Sequence, residues 1–218
     1  MISAVILAGG RGRRMGGTDK GLALLNGRPL IAWVLERIAP QVDDLFISAN
    51  RNLDQYRLFG HPVLPDASPD FQGPLAGLLR AMTEAAHPLI LSVPCDTPFL
   101  PGDLAGRLTG ALEESGADLA IPVCGGQVHR AVCLCRRSLL PGLENFLVQG
   151  GRRVGEWQSM LRRVEVPFDD ERSFLNLNTV EELAAGNSEQ APFSLAPSPA
   201  CGRGLGRVLS PLGKKEQT

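Results

Sequence analysis

Arg11, Arg13 and Arg14 crowd a glycine-rich stretch, Ala8-Gly9-Gly10-Arg11-Gly12-Arg13-Arg14-Met15-Gly16-Gly17, which closes at Asp19-Lys20, and over 8–20 Asp19 is the only acidic residue. Glycine lets backbone N–H groups converge on an anion, because no Cβ stands in the way and positive φ is allowed. The stretch directly follows Ala4-Val5-Ile6-Leu7, short, apolar and partly β-branched as a buried central strand should be. A strand, then a cationic glycine loop, then a helix is the arrangement that holds a polyphosphate. Two common phosphate loops do not match. Lys20 follows Asp19 and precedes Gly21, which breaks the Gly-x4-Gly-Lys-Ser/Thr spacing. Gly10-x-Gly12 meets Met15 where a dinucleotide fingerprint needs its third glycine.

A second group of polar residues ends the later apolar runs. Ser48, Ala49 and Asn50 close one strand-like run, Asp66 follows Pro65 after another, and Asp96 follows Cys95 after a third. In an open α/β sheet, ligands bind beyond the carboxyl ends of the strands, so all of these can line one edge. Asp96 stands between Pro94 and Pro98, which stiffen its turn. A lone carboxylate completed by phosphates and water is a usual way to hold Mg²⁺, and an Asx turn would suit the same residue. Asp66 and Asp19 are the next carboxylates along this edge. Lys20 offers a point charge to phosphate, and Arg14 either serves the phosphates or pairs with Asp19.

Taken together, Leu7-Ala8-Gly9-Gly10-x-Gly12-x-Arg14-Met15-Gly16-x-x-Asp19-Lys20, Gly73-Pro74-Leu75-Ala76-Gly77, Pro94-Cys95-Asp96-Thr97-Pro98 and Asn176-Leu177-Asn178-Thr179 resemble, in order, the motifs of the molybdenum cofactor guanylyltransferases, a branch of the sugar-nucleotide-type nucleotidyltransferases. The resemblance covers about residues 1 to 186. It implies transfer of GMP from GTP to the phosphate of molybdenum-bound molybdopterin, with release of pyrophosphate. By the same resemblance, Asp96, Lys20 and Arg14 are catalytic and Asp96 holds Mg²⁺. Leu7, Ala8, Gly9, Gly10, Gly12, Lys20, Ser48, Asn50, Asp66 and Asp96 would bind GTP. Arg152, Arg153, Asn176 and Asn178 would lie on the acceptor side, although a solvated face or helix capping also explains them.

This sequence departs from the family pattern twice. Ser48 stands where the family has Asn, and a hydroxyl cannot offer an amide's separate donor and acceptor. His129-Arg130 replaces the family's His-Pro. Within the class the alternatives are a cytidylyltransferase acting on the same pterin, whose first loop carries Leu-Ala-Ala-Gly, or a sugar-1-phosphate nucleotidyltransferase. A non-catalytic nucleotide sensor or docking module is the alternative of another class. The expected partners beyond the substrates are molybdenum cofactor biosynthesis proteins and apo-molybdoenzymes, with the protein itself a monomer.

The elements that must position these residues read as an α/β pattern. Apolar runs at 45–49, 62–64, 89–93, 119–123, 128–135 and 164–166 alternate with amphipathic stretches at 29–39, 73–86, 103–115, 139–148 and 154–161. The expectation is a Rossmann-like, mostly parallel sheet with helices on both faces, in one nucleotidyltransferase domain over 1–186. Asn178 or Thr179 would cap a last helix through Ala184. Residues 187–218, rich in Pro, Gly and Ser and without sustained period, read as a disordered tail.

A net charge of −1 gives no general attraction to nucleic acid or anionic membrane. Residues 2–8 are too few for a signal-peptide core, no apolar run spans a bilayer, and five cysteines without framework spacing fit reduced thiols. The expected location is the cytoplasm. The cysteines and the three scattered histidines have no zinc-ligand spacing.

Overall fold

The computed structural model describes residues 1–9, 19–66, 73–177, 182 and 207–209. In chain order the elements are β1 (Ile2–Leu7), β2 (Leu24–Leu25), β3 (Arg28–Pro29), α1 (Leu30–Ile38), β4 (Asp44–Ser48), α2 (Leu53–Arg57), β5 (Val63–Leu64), α3 (Pro74–Glu84), β6 (Leu89–Pro94), α4 (Leu104–Ser115), β7 (Leu119–Cys124), β8 (Gln127–Val128), β9 (Cys133–Arg136), α5 (Leu140–Val148), α6 (Val154–Ser159), β10 (Arg163–Phe168) and β11 (Arg207–Leu209). The main sheet runs β11-β10-β7-β9-β6-β1-β4-β5, with β8 paired to β7. Strands β6, β1, β4 and β5 are all parallel, as are β7 and β10. β9 runs antiparallel between β6 and β7.

Period-two alternation along the central strands divides the core into two layers. Ala4 and Ile6 of β1, with Leu89, Leu91 and Val93 of β6, face α1 and α4. Val5 and Ile90 face α3, α5 and α6, together with Leu78, Met82, Leu143 and Trp157. The stripe Ile31, Val34, Leu35 and Ile38 that marks α1 in the sequence lies wholly in the first layer. With helices on both faces and no break in either layer, the described residues form one mixed, mostly parallel α/β domain.

Three details differ from the sequence reading. Residues 128–135 do not form one strand: the chain turns at 129–132, and only then enters β9. That turn lets β9 leave the β7–β8 hairpin and pair with both β6 and β7, placing Cys133 and Cys135 in one layer and Leu134 in the other. Asn26 and Gly27 both take positive φ and form a tight turn between β2 and β3, a hairpin not anticipated. Within the stretch read as disordered, Arg207–Leu209 pair antiparallel with β10. An edge strand's unpaired backbone groups accept such a segment. The last helix expected through Ala184 lies outside the described residues, apart from helical Glu182.

Candidate active site

The register of the parallel strands brings four loop origins into one row. Leu7 pairs with Ser48 on one side and Pro94 on the other, and Ser48 pairs with Leu64. One residue further, the ladder continues through Ala8 N–H to Ser48 O (2.8 Å), Cys95 N–H to Leu7 O (3.1 Å) and Ala49 N–H to Leu64 O (3.1 Å). Ala8-Gly9, Asn50, Asp66 and Asp96 therefore leave the same carboxyl edge side by side.

Lys20 and Asp96, 76 residues apart, meet here: Lys20 Nζ donates to Asp96 Oδ2 at 3.2 Å. Their side chains are 26% and 13% exposed, so the pair is partly desolvated and still open to a ligand. The main chain of Asp96 is fixed from behind by Leu177 N–H, which donates to its carbonyl at 2.9 Å. Next to it, Thr97 Oγ1 donates to Asn176 Oδ1 at 2.7 Å, tying the 176–177 segment to this turn.

Beneath Lys20 lies a buried polar knot. The Asp19 carboxylate accepts from Gly21 N–H (3.2 Å), from Asn52 Nδ2 (3.0 Å) and from the hydroxyl of Tyr56. Tyr56 is completely buried, and burial first, then its bond to Asp19, pushes its hydroxyl pKa far above the ordinary value. A Cβ on Gly21 would lie 2.5 Å from the Tyr56 oxygen, so only glycine allows this approach. With Asp19 turned inward and held by three donors, its role is to fix the backbone that carries Lys20; it is not an open carboxylate for a metal. Asn52 and Tyr56 were not anticipated. α2, which carries Tyr56, has five residues and gives no periodic signal.

Across the row, Asn50 and Asp66 bond reciprocally, Asn50 Nδ2 to Asp66 Oδ2 at 2.7 Å and Asp66 N–H to Asn50 Oδ1 at 2.8 Å. Burial raises the Asp66 pKa, and the bond from Asn50 opposes that rise only in part. The Asn50 amide also lies 3.3 Å from where a Cβ on Gly9 would stand, so the glycine gives this pair its place. Ser48 is buried at the end of β4, its Oγ 2.4 Å from where a Cβ on Gly77 would be. The Gly73-Pro74-Leu75-Ala76-Gly77 motif thus opens α3 with Gly73 at φ 116° and closes its first turn against Ser48.

Of the remaining candidates, Arg152 and Arg153 lie between α5 and α6, and the others lie outside the described residues. Arg152 Nη1 donates to the carbonyls of Leu147 (2.8 Å) and Gly151 (2.6 Å), so its guanidinium terminates α5. Arg153 pairs with Glu156 at 3.3 Å on an open surface. Gly10, Gly12, Arg14 and Asn178 lie outside the described residues. Burial raises the pKa of Cys95, beside Asp96, well above that of a free thiol, so it stays a protonated, packed side chain.

Residues 4–164 match the MobA-like NTP transferase domain. The chain belongs to the MobA-like NTP transferase family. It is similar to the molybdenum cofactor guanylyltransferase of Ralstonia nicotianae, 48% identical over 191 residues that cover 84% of this chain and 94% of that one. The protein of the same name from Cupriavidus necator is 49% identical over 187 residues, with the same coverage. Among solved structures, the molybdopterin-guanine dinucleotide biosynthesis protein A of Archaeoglobus fulgidus is similar at TM-score 0.69 and 25% identity, over 86% of this chain and 97% of that one. A 4-diphosphocytidyl-2C-methyl-D-erythritol synthase from Anaerococcus prevotii shares the fold, at TM-score 0.64 and 14% identity over 86% of this chain and 96% of that one. Among the described residues of this MobA-like chain, no helix is long and apolar enough to cross a membrane.

Proposed function

We propose that this protein transfers GMP from GTP to the terminal phosphate of molybdenum-bound molybdopterin, yielding the molybdopterin guanine dinucleotide cofactor and pyrophosphate. The Lys20–Asp96 pair carries the reading: a cation and a hard oxygen donor held 3.2 Å apart at the strand edge where the Ala8-Gly9 turn begins. The close identity to curated guanylyltransferases supports GTP as donor and the pterin phosphate as acceptor.

In this reading an oxygen of the acceptor phosphate forms a bond to the α-phosphorus of GTP. The bond from that phosphorus to the bridging oxygen breaks, and its electron pair leaves with pyrophosphate. Lys20, on a flexible stem above the rigid Asp19–Tyr56 knot, moves from Asp96 to the phosphate charge that grows on the leaving group. The Asn50–Asp66 pair meets the base or ribose, and the Gly9 N–H, one residue past the ladder, meets the phosphates. Asp96 fits a divalent ion of the Mg²⁺ class, being a hard carboxylate donor beside a phosphate site, and no other protein carboxylate needs to reach it. When bound, Mg²⁺ would neutralise phosphate oxygens at Asp96.

The test is product formation with molybdopterin and each of GTP, CTP and ATP, before and after chelation and with Mg²⁺ restored. The expected result is dinucleotide and pyrophosphate in equal amounts with GTP, lost on chelation and regained with Mg²⁺. Equal or better use of CTP would overturn the guanylyl assignment.

A further inference from the structure

We infer that Arg130 is an anion-binding residue for the acceptor, placed on the α6 side of Asp96. The inference rests on the proposed transfer to a phosphate-bearing pterin, and it starts from sheet register. Ser92 of β6 lies opposite Cys133 of antiparallel β9. The residues just before Cys133 therefore run alongside the Pro94–Asp96 end of β6, which puts the 129–132 turn at the same carboxyl edge as the Lys20–Asp96 pair. The two turn residues part company there. His129 stacks on Phe174, ring centroids 4.6 Å apart, in the layer of α4. Arg130 goes to the other side, into a cleft shared with Leu7, Pro74, Leu75, Val154 and Trp157.

The position is built. Gln158, fully buried in α6, donates from Nε2 to the Arg130 carbonyl at 3.0 Å. Arg130 N–H donates to Val128 O (3.2 Å), and the turn closes with Val132 N–H to His129 O (3.0 Å). The arginine stem crosses α6 at Gly155, where an added Cβ would lie 3.5 Å from Arg130 Cδ and 3.6 Å from Nε. The backbone is thus held by hydrogen bonds while the exposed Arg130 side chain lies along a cleft that, apart from Ser92, is walled by apolar side chains. An apolar wall raises the strength of an arginine–phosphate contact by keeping competing water away.

The other cations expected on this side are engaged differently: Arg152 caps α5 and Arg153 pairs with Glu156. Leu7 and Pro74 in the cleft wall belong to the β1 end and the α3 start, the two motifs that frame the nucleotide site. Arg130 thus stands on the β9 side of the edge that carries Asp96. The planar fork can take two phosphate oxygens at once, which orients the group as well as attracting it.

The test compares Arg130→Gln and Arg130→Lys with the unaltered protein. Steady-state KM is measured for GTP and for molybdopterin, and molybdopterin binding is measured by calorimetry without GTP. The expected result for Arg130→Gln is a rise of about 10-fold or more in the molybdopterin KM and Kd, the scale of one charge-assisted contact. The GTP KM and the melting temperature stay within about twofold and ~2 °C, and Arg130→Lys recovers part of the acceptor affinity. A molybdopterin Kd unchanged in Arg130→Gln overturns the inference while leaving the proposed function intact. Equal weakening of both substrates also overturns it, since a loosened 129–132 turn would act on both. An unaltered protein that neither binds molybdopterin nor turns over sinks both readings.

Discussion

Tyr56→Phe isolates the knot beneath Lys20, because it deletes one oxygen from a completely buried ring and leaves the packing intact. The hydroxyl donates to the buried Asp19 carboxylate, which keeps its bonds from Gly21 N–H and Asn52 Nδ2. Losing a hydrogen bond to a charged acceptor with no water to replace it costs about 1.5–3 kcal/mol. For a chain of this size that corresponds to roughly 3–12 °C in melting temperature. The same loss frees the backbone next to Lys20, so kcat/KM for GTP should fall about 10-fold, in line with the sensitivity of transfer to small misplacements. The sign of the pH dependence is also set. The Tyr56 pKa is raised far above its ordinary 10.0, so its stabilisation is fully present below pH 10 and fades above it, where the unfolded chain ionises. The stability gap between the two proteins should therefore be flat from neutral pH to about 10 and narrow beyond. A second variant checks the geometry: Gly21→Ala, which brings a methyl 2.5 Å from the hydroxyl, should be markedly better tolerated in the Tyr56→Phe background. Calorimetric melts and GTP turnover are the assays. A melting temperature changed by less than about 1 °C in Tyr56→Phe would refute the reasoning.

Asp96→Asn keeps volume but removes charge from the proposed metal ligand, so turnover should drop at least ~10²-fold in a folded protein while GTP binding weakens less; near-normal turnover would redirect the metal search to Asp66. Gly77→Ala places a Cβ 2.4 Å from Ser48 Oγ and 2.8 Å from Leu7 Cδ2. Denaturant melts should show about 1–3 kcal/mol of destabilisation, eased in part by Ser48→Ala. Asp66 has a raised pKa, so its contribution to stability is greatest below 3.8 and is lost as pH rises through its folded value. Asp66→Asn should accordingly melt no lower than the unaltered protein at pH 7 and lose that relative advantage near pH 3.5, while using GTP less well. Truncation after Gly186 removes β11 from the edge of β10 and no residue of the site, so GTP turnover should be unchanged; a fall of more than about twofold would give the tail a role in catalysis.

What was legible in the sequence was what local pattern can carry. The strand before the glycine loop, the stripe of α1 and the proline-flanked Asp96 all announce themselves within a few residues. Asn26-Gly27 is a strong hairpin signal, but β2 and β3, two residues each, are too short to show an alternating pattern beside it. The break between β8 and β9 had no such signal: His129-Arg130-Ala131-Val132 contains neither Gly nor Pro, and the turn exists because β9 is needed between β6 and β7. The site shows the same division. Lys20 and Asp96 could be named separately, but their meeting depends on contacts across 76 residues. Asp19 read as a loop carboxylate because its partners, Asn52 and Tyr56, come together only when α2 packs back on the 19–21 turn.

The reversed strand β9 divides the molecule into two contiguous stretches of chain. Everything up to the 94–96 turn builds β1, β4, β5 and β6 with the Lys20–Asp96 edge, and everything from β7 to β10 builds the opposite flank. Within the sheet one strand pairing, β6 with β9, joins the two flanks, and both core layers and the 176–177 segment bridge them as well. The later flank nonetheless reaches back to the earlier one, because Leu177 and Asn176 hold the 96–97 turn. The β6–β9 seam also bears on folding: β9 completes the sheet through partners in β6 that lie 41 to 47 positions earlier in the chain, and such non-local pairing slows folding.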